Sequence, residues 1–215
     1  MSNSENGKVA SKKQQENGLR LLAACFYEPE KELLAAEDVL DNLRGCLNAV
    51  CPEAAVCVDE MESGLARYTD EQLKIAYAKL FVGPFALAAA PYGSVYLDEG
   101  RRVMGDSTMD VIKWYEQEGL ARSDDCKDLP DHIAIELEFM SYLICKEIAA
   151  LESSDSQTAE AYAAKQQSFA DALLRPWVPE FCEKIRQGTD NSFYSALADC
   201  AATVVGQECQ LQKEG

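Results

Sequence analysis

Apolar residues recur at helical spacing through most of this chain, and that period dictates helices rather than strands. Leu19, Leu22, Ala23 and Phe26 share one side of a helix predicted over about residues 15–27, which stops at Glu28-Pro29. Leu33, Leu34, Leu40, Leu43 and Leu47 mark a second over about residues 30–50, ending before Pro52, and Met61 and Leu65 mark a third. Thr69-Asp70-Glu71-Gln72 reads as a capping box opening a fourth helix, which Gly83-Pro84 closes. Further on, Asp106 or Ser107 can cap a helix ending at Gly119, and Pro130 suits the first turn of a long helix reaching about Leu151. Residues 153–156 form a turn, and helices follow over about residues 158–174, 176–186 and 192–205. The expected fold is all-α: a single-domain bundle of roughly ten helices over residues 15–206, with residues 1–14 and 207–215 as flexible tails.

Charge narrows the function. The 215 residues carry 37 acidic against 20 basic side chains, a net charge of −17. Nucleic acid and anionic membrane surfaces would both repel such a chain, whereas a cationic partner would be drawn to it. Acidity that merely confers solubility is the bland alternative. Residues 1–18 lack an apolar core of the kind a secretory signal needs. Residues 80–97 are uncharged and about long enough to span a bilayer, but Gly83, Pro84, Pro91 and Gly93 break the helix a span requires. Arg101-Arg102 is a twin arginine, but it lies mid-chain and cannot act as an export signal. The nine cysteines, an odd number without Cys-x-x-Cys, read as reduced, mostly buried thiols of a cytoplasmic protein. Cys46, Cys51 and Cys57 come nearest to a metal pattern, at spacings too loose for a zinc knuckle.

Catalysis fails for want of parts. His132 is the one histidine, so a His-Glu-x-x-His zinc site cannot be built, and no Gly-x-Ser-x-Gly elbow presents a nucleophile. No phosphate-binding loop or dinucleotide fingerprint occurs. His132 and Glu136 stand at i and i+4, where a hydrogen bond between them is the commoner outcome and a metal the rarer one. No cofactor and no metal are expected.

Two features stand out. Tyr77, Leu80 and Phe81 leave the fourth helix together, and Phe85, Pro91, Tyr92 and Tyr96 follow in a proline-pinned loop. These aromatics either line a groove or simply cover the core. Asp128-Leu129-Pro130-Asp131-His132 opens the long helix, where its acids either cap the helix or form an acidic rim. Together, exposed and adjacent, the two features would suit a peptide with a positive end followed by an apolar stretch.

The same residues carry a family resemblance. Tyr77-Ala-Lys-Leu-Phe-Val-Gly-Pro-Phe85, Ala90-Pro-Tyr-Gly-Ser-Val-Tyr-Leu-Asp-Glu99, Gly105-Asp-Ser-Thr108 and Pro130-Asp-His132-Ile-Ala-Ile-Glu-Leu-Glu-Phe-Met140 resemble the TorD/DmsD/NarJ chaperones, most nearly the DmsD branch. The likeness implies a TorD-like helical bundle without catalytic turnover. It implies a cytoplasmic chaperone, monomer or homodimer, that binds the twin-arginine leader and apo form of a molybdopterin-dependent oxidoreductase of the dimethyl sulfoxide reductase type. Such a chaperone assists cofactor insertion and prevents premature export. The residues mapped onto leader binding are Tyr77, Leu80, Phe81, Phe85, Pro91, Tyr92, Tyr96, Asp98, Pro130, Asp131 and His132, with the leader's apolar part on the aromatics and its arginines on acids such as Asp131 and Asp98. Two departures are visible: loop positions that are often tryptophan in relatives are Tyr and Phe here, and Pro130 directly adjoins Asp131-His132, where relatives often place a residue between. GTP binding, proposed for the family, finds no phosphate loop here. A helical adaptor of the same fold for another protein is the alternative.

Overall fold

The computed structural model describes residues 3–83, 87–121, 123 and 127–207. Within them the chain forms eleven α-helices: α1 Asn3–Ala24, α2 Lys31–Ala36, α3 Val39–Val50, α4 Pro52–Arg67, α5 Asp70–Tyr77, α6 Ser94–Leu97, α7 Asp106–Gln117, α8 Ile133–Glu152, α9 Ser156–Phe169, α10 Val178–Gly188 and α11 Ser192–Gln207. The all-α expectation holds. Two π-helical turns, Ala78–Val82 and Ala170–Leu174, extend α5 and α9. No helix among the described residues is long and apolar enough to cross a membrane.

Local chemistry explains most boundaries. Thr69 forms the expected capping box: its hydroxyl accepts from the Gln72 N–H at 3.2 Å, and the Gln72 side chain accepts from the Thr69 N–H at 2.9 Å. The second predicted helix is two, α2 and α3, because Asp38 turns left-handed with φ 48°, a conformation that Asp tolerates better than most residues. The first helix begins at Asn3, not near Gln15. What secures its polar first half is ionic: Lys12 lies 2.9 Å and Lys8 3.8 Å from Glu147 of α8, a carboxylate that is 1% exposed. Gln166 of α9 donates a third contact to Glu147 at 2.9 Å. The tail expected over residues 207–215 starts one residue later at the earliest, since Gln207 still belongs to α11; residues 208–215 lie outside the described residues.

Helix α8 runs through the middle of the bundle, packed by α1 and α9, while α4 lies against α3 and α11, and α10 against α11. Leu22, Leu43, Met61, Leu73, Phe169, Phe181, Phe193 and Tyr194 fill the core. The crossing of α4 and α11 depends on Gly64, where a Cβ would sit 2.6 Å from the Phe193 backbone nitrogen and 2.9 Å from its Cα. Gly64→Ala is therefore expected to cost about 1–3 kcal/mol, since backbone cannot step aside as a side-chain tip can. Gly45 in α3 faces open space, so Gly45→Ala should stabilise by about 0.5–1 kcal/mol. Thermal unfolding of the two variants should move in opposite directions.

Candidate functional site

The segment that follows Ala89 crosses the start of α8 and is stitched to it by backbone. Ile133 N–H donates to the Pro91 carbonyl and Gly93 N–H to the Asp131 carbonyl, both at 2.9 Å, and Tyr92 and His132 pair as an isolated antiparallel bridge. Pro130 sits in the turn before α8, not in its first turn. His132 is the N-cap: its Nδ1 accepts from the Ala134 N–H at 3.2 Å, which leaves the proton of the neutral ring on Nε2. The ring lies parallel to Tyr27, centroids 5.9 Å apart, and edge-on to Tyr92 at 5.5 Å. Burial lowers the His132 pKa, against the opposing pull of Asp128 and Asp131.

Around this bracket lie the tyrosines and acids of the candidate surface. Tyr27, Tyr77 and Tyr92 are half-buried. Tyr77 packs edge-on against Phe81 at 5.2 Å. Its phenol is pushed up to about 12, mainly by burial, with Asp128, Tyr92 and Glu28 adding to the shift. Tyr27 donates to Glu138 Oε1 at 3.0 Å. Although the residue as a whole is exposed, desolvation by its neighbours holds the Glu138 carboxyl above its usual range, with the Tyr27 hydrogen bond opposing and Asp128 adding. Glu28 and Glu138 are exposed, and Asp128 is half-buried. The result is a set of tyrosine faces beside His132, edged by carboxylates.

Several sequence-mapped residues serve other ends. Leu80 and Phe81 are 0% and 4% exposed, so they underlie the surface; Phe81 packs on Phe181 and Tyr194. Pro91 is buried as well. Tyr96 stacks on Trp177 at 5.4 Å and donates to the Ala90 carbonyl at 2.9 Å. Asp131, 1% exposed, accepts from the Ser94 N–H at 2.9 Å and so fixes the first turn of α6. Asp98 accepts from both the N–H and the hydroxyl of Ser107 and closes the start of α7. That cap needs Gly105, whose Cβ would collide with the Asp98 carboxylate. Neither Asp106 nor Ser107 caps α7 as expected. Asp131 is thus buried and engaged by backbone, out of reach of a partner's arginines, while half-buried Asp98 is committed to Ser107. Phe85 lies outside the described residues.

Sequence reasoning missed Glu28, Glu138 and Tyr27 as members of this surface, since no local spacing joins positions more than 100 residues apart. It also paired Glu136 with His132. Instead Glu136 accepts from the Trp177 indole N–H at 3.2 Å, beneath Gly93. Its other oxygen has no hydrogen-bond partner among the described residues. Burial, then Asp131, hold its pKa well above the usual carboxylate range. With its folded-state pKa raised in this way, Glu136 carries no penalty below the unfolded value of about 4.3, and stability is lost as pH rises from there toward the folded value. Glu136→Gln removes that loss. It should raise the melting temperature at pH 8 and do so less at pH 5; an equal change at both would contradict a protonated Glu136.

Among the described residues no cluster of three metal-ligating side chains occurs, and the seven described cysteines are free thiols, five of them buried. Cys126 and Cys209 lie outside the described residues.

Comparison with known proteins agrees with this architecture. The family model for the nitrate reductase delta subunit matches residues 47–183. The chaperone protein TorD of Photobacterium profundum is 32% identical over 149 residues, spanning 65% of this chain and 68% of that protein. The Tat proofreading chaperone DmsD of Salmonella typhi is 27% identical over 188 residues, 87% of this chain and 85% of that protein. The crystal structure of a candidate redox enzyme maturation protein from Archaeoglobus fulgidus superposes with a TM-score of 0.55 at 20% identity, over 87% of this chain and 91% of that one. Its likeness shows the fold, and the named relatives are chaperones rather than enzymes. The chain therefore belongs to the nitrate reductase delta subunit family, the TorD/DmsD/NarJ chaperones that its own motifs resemble.

Proposed function

We propose that this redox-enzyme maturation chaperone binds the twin-arginine leader of a molybdopterin-dependent oxidoreductase of the dimethyl sulfoxide reductase type. It acts in the cytoplasm, holding the apo-enzyme for cofactor insertion and delaying export. The observation that carries this reading is the meeting of Tyr27, Tyr77 and Tyr92 with the carboxylates of Glu28, Asp128 and Glu138 around His132. Tyrosine faces take apolar side chains and stack with guanidinium groups. Carboxylates pair with guanidinium in a planar two-bond geometry that lysine cannot match. The acids at the rim replace Asp98 and Asp131 in that role.

Acidity should weaken the complex. As pH falls from 7 to 5, the raised Glu138 carboxyl takes up a proton earlier than an ordinary glutamate, and His132 approaches its own protonation. Both changes oppose two arginines. Leader affinity should fall, by at most the roughly fivefold worth of one exposed ion pair of about 1 kcal/mol, and Glu138→Gln should flatten the profile. Direct placement comes from photo-crosslinking: a leader with the crosslinker just after its arginines should label residues 77–92 or 128–138. Labelling confined to α9, α10 or α11 would contradict the site.

A further inference from the structure

The leader site leaves one motif unexplained: Arg101-Arg102-Val103-Met104, between α6 and α7. All four residues are exposed, Val103 by 46% and Met104 by 55%. Gly100, Arg101 and Met104 have φ of 88°, 50° and 62°, a left-handed backbone that Arg and Met adopt at a cost. The chain thus spends local strain to hold two arginines and two apolar side chains out on its surface. Arg101 is tied to Glu180 of α10 at 3.2 Å, but both side chains are largely exposed, and such a pair exchanges for another acid at little cost.

Two arginines followed directly by apolar side chains are the chemistry that the proposed site takes from a leader. We propose that this loop of one copy docks in the leader site of a second copy, so that loop and leader compete. The inference rests on the leader-binding reading. Charge selects the occupant: a chain of net charge −17 repels its own copies except where a local cationic patch meets an acidic one. The Arg101-Arg102 loop and the Glu28, Asp128 and Glu138 rim are such a pair. Self-docking would cover the tyrosine surface until a client leader displaces the loop.

The test is sedimentation of the full chain from micromolar to near-millimolar concentration, with and without saturating leader peptide, for wild type and Arg101→Ala/Arg102→Ala. Wild type should associate with concentration, the variant at least tenfold more weakly, and leader should return wild type to monomer. A wild type that stays monomeric, or an association that neither the substitutions nor the leader weaken, would overturn the inference. Calorimetry of leader binding to the variant at low concentration separates the two readings. Binding there with no self-association in wild type sinks only the loop proposal, whereas no leader binding sinks the function on which it rests.

Discussion

Trp177→Ala is expected to lower stability by about 3–5 kcal/mol, a large share of the total for a domain of this size. Trp177 is fully buried, stacked on Tyr96 and packed on Phe181 at 5.3 Å. It also supplies the hydrogen bond to Glu136. Truncation opens a cavity under residues 93–96 and removes the donor from a buried carboxyl. With about 2–4 °C per kcal/mol for a chain of this length, the melting temperature should drop by roughly 10 °C. Trp177→Phe separates the two effects. It keeps aromatic packing while losing the N–H, and should cost about 1–3 kcal/mol. If the alanine variant melted within a degree or two of wild type, Trp177 would not be the support described for this loop.

The second large effect concerns the surface itself. Tyr77→Ala and Tyr92→Ala should each weaken leader binding by about 2 kcal/mol, roughly 30-fold, as expected for aromatic anchors at the centre of an interface. Their stability should fall less than that of Phe81→Ala, because Tyr77 and Tyr92 are half-buried while Phe81 lies in the core. Tyr77→Phe and Tyr92→Phe keep the ring and should bind within a few-fold of wild type. Calorimetric affinity read beside thermal unfolding distinguishes loss of contact from loss of fold. Weak binding by the phenylalanine variants as well would shift the recognition from ring face to hydroxyl.

Much of the bundle was legible because helical period and end chemistry are local properties. The capping box at Thr69 and the chain break before Pro52 follow from neighbouring residues alone. The early start of α1 did not, because what secures it is Glu147, more than 130 positions away from Lys8 and Lys12. Nor did the split at Asp38, since Asp there needs a backbone angle that spacing cannot reveal.

The site was legible by motif but not by role. Tyr77 and Phe81 share a face at i and i+4, yet burial separates them into surface and core. The π-helical turn that starts at Ala78 adds a residue to the helix register just there, and period-based reading assumes no such turn. Asp98, Asp128 and Asp131 are alike in sequence. Only the fold shows that the first and third are held by Ser107 and Ser94, and that Asp128 lies near Tyr77, Tyr92 and Glu138.

Calorimetric titration decides whether the chain recognises a twin-arginine leader. The full chain is titrated with such a leader and with the same peptide carrying alanine for both arginines. The expected result is saturable binding, of micromolar order for an apolar contact offset by peptide ordering, that fades with the arginine-to-alanine peptide. Equal binding of both peptides, or none across several leaders, would contradict it and favour a helical adaptor for a different protein.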